Sequence, residues 1–154
     1  MKPSGPALAS VAIGVVTAYA TDVIATSRLP ARHRLPALSA GLVIAALIYP
    51  AARRPPRRGG PATHEWLAVA ATVTAGAVAA RRPPRQQTAI VAAGWACHAA
   101  FDLTHRRGPH SCIPDWYPAV CAGYDVALAA LLAARVSRTD RRFGADGPMP
   151  IRRG

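Results

Sequence analysis

The residues of this chain that could do chemistry fall in a few short stretches. In GWACHAAFDLTHRRGPH, residues 94–110, His98, Asp102 and His105 follow one another at intervals of four and three. At 3.6 residues per turn all three project from one helical face, and Trp95 extends that stripe by a turn. In IPDWYPAVCAGYDVALAALL, residues 113–132, Tyr117, Cys121 and Asp125 recur every four residues, again on one face. THEW places His64 and Glu65 at the start of a further apolar run, and Asp22 lies within the first.

Neutral imidazoles and carboxylates are the ligands that zinc and similar divalent metals use, commonly with one position left for water. A metal centre with Asp102, His105 and His98 as candidate ligands is therefore the sharpest reading, with Glu65 and Asp125 as candidate catalytic groups. Spacing limits it. His98 and His105 are separated by ~10.5 Å of helical rise, too far to close on one ion as an i, i+4 pair does. Asp102 is expected to join His105, with Glu65 or His64 contributing as ligand or base. By depth, His98 is expected to pair with Asp125, which lies ~15 Å into its span, beyond the reach of snorkelling. A second chemistry is proton passage along a ladder of His98, Asp102, Asp125 and Asp22. A third reading is non-enzymatic, a membrane scaffold whose polar residues only satisfy one another.

The surroundings of these residues give them their weight. The chain has 154 residues, half of them apolar, and a formal charge of +12 from eighteen arginines and one lysine. The basic residues are clustered, at Arg28/Arg32/Arg34, Arg53/Arg54/Arg57/Arg58, Arg81/Arg82/Arg85, Arg106/Arg107 and from Arg135 onward. Between them the runs 6–26, 35–51, 65–80, 87–104 and 114–134 contain no Arg or Lys. Segregation of this kind is the pattern of membrane spans separated by charged loops, whereas a nucleic-acid binder gathers its charge on a folded face. The expected fold is all-α: a polytopic membrane helix bundle of about five transmembrane helices over residues 1–138, followed by a polar, disordered tail at 139–154. Its partners are the lipid bilayer and, without further specification, a second copy or another membrane protein; its place is the cell membrane, as a multi-pass protein. No nucleic acid is expected.

Four of the seven carboxylates, Asp22, Glu65, Asp102 and Asp125, lie in or at the edge of apolar runs, while the cations lie in loops. An acid in a bilayer costs about 3 kcal/mol even on insertion scales, so each should face the protein interior and have a partner or a task. The runs are rich in Ala, Gly, Ser and Thr, which let helices approach closely in lipid. Pro and Gly punctuate the loops. The first run has the look of a signal peptide ending at Ala18-Tyr19-Ala20, but its apolar character continues to Arg28, favouring an uncleaved helix. Counting arginines, twelve against six, puts the N-terminus outside. Three cysteines, Cys97, Cys112 and Cys121, indicate no disulfide framework. There is no phosphate-binding glycine loop, GxSxG elbow or HExxH.

At the two stretches quoted first, the sequence resembles a family of small bacterial integral membrane proteins known only as a domain of unknown function. Gly94-Trp95, His98, Asp102 and His105 carry the resemblance, followed by Pro118, Cys121 and Asp125. The chain departs from the family at Arg106, where the family favours a second His, and at Tyr124, where it often has Cys. The resemblance implies a membrane protein with a shared polar centre and no established activity.

Overall fold

The computed structural model describes residues 5–54, 61–105 and 110–145. Each apolar run forms a helix: α1 (Gly5–Arg28), α2 (Ala31–Ala51), α3 (Pro61–Ala79), α4 (Pro84–Thr104) and α5 (Tyr117–Ala145). The all-α bundle is therefore as expected. By length and composition, three segments can cross a membrane: Ala7–Arg28, Ala31–Ala51 and Tyr117–Arg138. α3 and α4 carry more polar residues, His64 and Glu65 in one and Arg85, Gln86, Gln87, His98 and Asp102 in the other.

Helix ends differ from expectation in two places. The loop expected through RLPARHRLP is only two residues long, because ARHR already belongs to α2. Pro30 caps that helix, and Arg34 reaches back to donate to the carbonyls of Leu29 at 3.0 Å and Thr26 at 2.8 Å. Those are carbonyls that the end of α1 leaves without helical partners, so the arginine acts as a side-chain cap. At the other end α5 continues to Ala145, seven residues into the segment expected to be a disordered tail; residues 146–154 lie outside the described region.

α5 packs against both α1 and α4, and α4 also meets α2 and α3, so α4 and α5 form the seam on which the other helices converge. Close approach of α1 and α5 depends on glycine. A Cβ at Gly14 would collide with the carbonyl oxygen of Val120, and one at Gly123 with that of Val11. Loss of either glycine would push the two backbones apart. The core contains Leu38, Leu42, Val91, Trp95, Leu128 and Leu132, whereas Ile13, Val16, Val23, Ile24 and Val126 point outward. Large apolar side chains on the outside of a bundle that buries Arg53, Glu65, His98, Asp102 and Asp125 suit a hydrocarbon surround. The 110–112 segment is tied to the end of α2: Arg54 N–H donates to the His110 carbonyl, Cys112 N–H donates to that of Ala52, and Arg53 bridges Ser111.

Candidate metal centre

The stripe predicted on α4 is a buried face. Val91, Trp95, His98 and Asp102 point inward, and the i, i+4 spacing brings His98 Nδ1 to 3.6 Å from Asp102 Oδ2. From the facing α5, Asp125 Oδ2 lies 2.8 Å from the same Nδ1, the pairing expected from depth. α2 supplies a fourth group: the Tyr49 hydroxyl donates to Asp102 Oδ1 at 2.7 Å. His98 and Asp102 are each 4% exposed and Asp125 1%, so none of these charges has water to solvate it. Tyr117 and Cys121, two turns and one turn before Asp125 on α5, pair with each other within electrostatic reach of both aspartates.

Glu65 belongs to a separate cluster. Arg53 clasps it from the end of α2, Nε to Oε2 at 2.5 Å and Nη2 to Oε1 at 2.6 Å, and His105 Nε2 reaches Oε1 at 2.9 Å. His105 therefore meets Glu65 and not Asp102, correcting the expected partnership of Asp102 with His105. The cause is local. α4 ends at Thr104, and His105 caps it with φ −70° and ψ 124°, so its side chain leaves the stripe that His98 and Asp102 share. The ring stacks on Phe101, with centroids 4.5 Å apart, and Tyr49 meets both rings edge-on, joining the two clusters through an aromatic contact.

The remaining expectations separate in the same way. Asp22 does not extend the ladder: Arg135 donates to both of its oxygens, at 2.5 and 2.6 Å, at the far end of α5. His64 and Asp115 are exposed, as are Cys97 and Cys112. Arg53 and Tyr49 were not singled out by sequence reasoning. Arg53 looked like one more member of a topological cluster, and only the need of a buried Glu65 for a counter-charge pointed to the loop beside it.

Ion pairing divides the four acids of the apolar runs into two kinds. Glu65 and Asp22 are each held by an arginine, whereas Asp102 and Asp125 share only the His98 imidazole and a tyrosine hydroxyl among the described residues. Asp102 Oδ2 and His98 Nε2 are buried without any hydrogen-bond partner. A protein family, a curated protein or a solved structure matching the chain was sought and none was found.

One donor atom each from His98, Asp102 and Asp125 lies within 4.8 Å of the other two. Ligands about 2.05 Å from a tetrahedral zinc stand about 3.3 Å from one another. The observed separations of 2.8 and 3.6 Å from Nδ1 bracket that value. A cation would thus require small side-chain adjustments, with the hydrogen bond to Asp125 opening by about 0.5 Å. It would use the unpartnered Oδ2 of Asp102 and neutralise two buried carboxylates, while Tyr49 fixes the orientation of one of them, as outer hydrogen bonds do at metal sites.

Proposed function

We propose that this protein is a multi-pass protein of the cell membrane in which all five helices cross the bilayer, and that His98, Asp102 and Asp125 bind one divalent metal ion, with zinc the best match. We also group it with the small bacterial membrane proteins that its His98, Asp102, His105, Cys121 and Asp125 pattern resembles. The observation that carries the metal reading is the charge imbalance: among the described residues two buried aspartates face one imidazole with no arginine between them, while the other two acids of the apolar runs each have one. Uncompensated buried charge costs several kcal/mol per ion, and coordination of a dication removes that cost.

Three protein ligands leave a fourth position for water, whose pKa a bound zinc lowers to about 7, the chemistry on which metal-dependent hydrolases rely. A hydrolase-like activity is accordingly the function we favour. In this reading Asp125 is a ligand and Glu65, fully engaged by Arg53 and His105, is an anchor rather than a base. The deciding experiment is metal analysis of detergent-purified protein after exposure to zinc and removal of free metal. About one zinc per wild-type chain is expected, with loss in Asp102→Asn and Asp125→Asn and retention in Glu65→Gln. Equal content in wild type and Asp102→Asn would refute the metal centre and favour the non-enzymatic scaffold or proton-relay reading.

A further inference from the structure

Contacts between helix ends sort the arginines. Glu65, at the start of α3, ties the end of α2 to it through Arg53 and the end of α4 through His105. Farther along, Gly41 on α2 faces Trp95 and Gly76 on α3 faces Ser39, so the three helices stay side by side and the starts of α2 and α4 lie at the opposite end, with the finish of α3. α1 joins that end through the two residues before α2, and α5 joins it through the pairing of Arg135 with Asp22. Three stretches far apart in the sequence, 22–34, 79–88 and 135–145, therefore meet at one end of the bundle, with ten arginines and two aspartates among them.

Much of this charge has no counterpart inside the fold. Arg135 takes Asp22, and Arg34 turns to the carbonyls at the finish of α1. Arg28, Arg81, Arg82 and Arg138 are exposed, and among the described residues no carboxylate pairs with them. At the other end, by contrast, Arg53 is buried and neutralised by Glu65.

The level of these arginines points to their partner. From Tyr117 to Arg138 α5 rises ~32 Å, about the thickness of the hydrocarbon layer. Exposed Trp66 and Trp116, at the starts of α3 and α5, mark the other boundary, where interfacial tryptophans gather. Beyond Arg138, α5 continues to Ala145 and carries Arg141 and Arg142 within ~6 Å of further rise, about the depth of one headgroup layer. At that level the guanidinium groups meet lipid phosphate before any soluble polyanion, and their planar forks match its oxygens. We infer that this end of the bundle is a docking surface for anionic phospholipid headgroups, with Arg81, Arg82 and Arg138 contacting their phosphates. It rests on the five crossings of the proposed function and not on the cation.

The test reconstitutes the full chain in vesicles of equal phosphatidylcholine and phosphatidylglycerol, recovers it in mild detergent and counts the retained lipids by native mass spectrometry. Phosphatidylglycerol held in several-fold excess over phosphatidylcholine, and released by high salt, is the expected result. Arg81→Gln, Arg82→Gln and Arg138→Gln, singly and together, should lower that excess stepwise, several-fold in the combination, with an unaltered thermal midpoint. Arg54→Gln, at the opposite end, should leave it unchanged. Equal retention of the two lipids by wild type, or an excess indifferent to the three substitutions, overturns the docking surface, and an excess that falls as far in Arg54→Gln overturns its location. Binding of polyglutamate through the same arginines without any lipid preference would assign the end to an acidic protein instead. Cysteines at Arg82 and Arg54 that label from one vesicle face would remove the five crossings, whereas lipid indifference with labelling from opposite faces removes only this inference.

Discussion

Asp102 is pulled in two directions, accepting a hydrogen bond from Tyr49 on Oδ1 and presenting an unpartnered Oδ2 toward His98. Tyr49→Phe removes the group that holds the carboxylate in that orientation. At metal sites such changes cost 10–100-fold in affinity, and zinc titration should find Tyr49→Phe weakened by about 10-fold or more with unchanged stoichiometry. Arg53 and Glu65 behave differently, as a buried and bidentate pair. Breaking one side of such a pair costs about 3–5 kcal/mol, so Arg53→Met should lower the unfolding free energy in detergent by that order and leave the zinc stoichiometry intact. Asp22→Asn, whose partner Arg135 has a side chain 37% exposed, should cost only about 0–1 kcal/mol. Protons compete with the cation for ligand atoms, so zinc affinity should fall as pH falls, with proton release on binding measurable by calorimetry in buffers of different ionisation enthalpy. The pairing of His98 with Asp125 was legible because both depths follow from helical rise. The pairing of His105 with Glu65 was not, because it depends on where α4 stops and on an extended backbone at residue 105 that periodicity cannot foresee.

The helices themselves were legible from charge segregation: each run free of Arg and Lys corresponds to one of α1 to α5. Their ends were less so. Arg34 looked like a loop residue but caps α1 from within α2, since a long side chain can serve a neighbouring helix while its own backbone is helical. Which helices would touch also lay beyond periodicity, since the α1–α5 contact depends on Gly14 and Gly123 facing each other's helix, a register that only the assembled bundle defines. Gly14→Leu should therefore destabilise the bundle by about 1–3 kcal/mol or detach α1, read as a lowered thermal midpoint together with loss of crosslinking between cysteines introduced at Asp22 and Arg135, whose side chains meet across α1 and α5. An outward-facing change such as Val16→Leu should leave both readouts unaltered.

For the molecule in its membrane, the arrangement of passes decides which side each loop occupies. Five crossings put Arg82 on the side opposite Arg54, whereas a bundle crossing only through α1, α2 and α5 puts both on the same side. Single cysteines at these positions, in a chain whose own three are replaced, should react with an impermeant thiol reagent from opposite faces of sealed vesicles; labelling from one face would reduce the number of passes. The centre that this bundle encloses is tested most directly by X-ray absorption spectroscopy of the zinc-loaded protein. Coordination by His98, Asp102 and Asp125 requires about one zinc per chain in a shell of nitrogen and oxygen only, with a single imidazole, and without sulfur despite the nearness of Cys121. Failure to load zinc at that ratio, or a sulfur atom in the first shell, would contradict it.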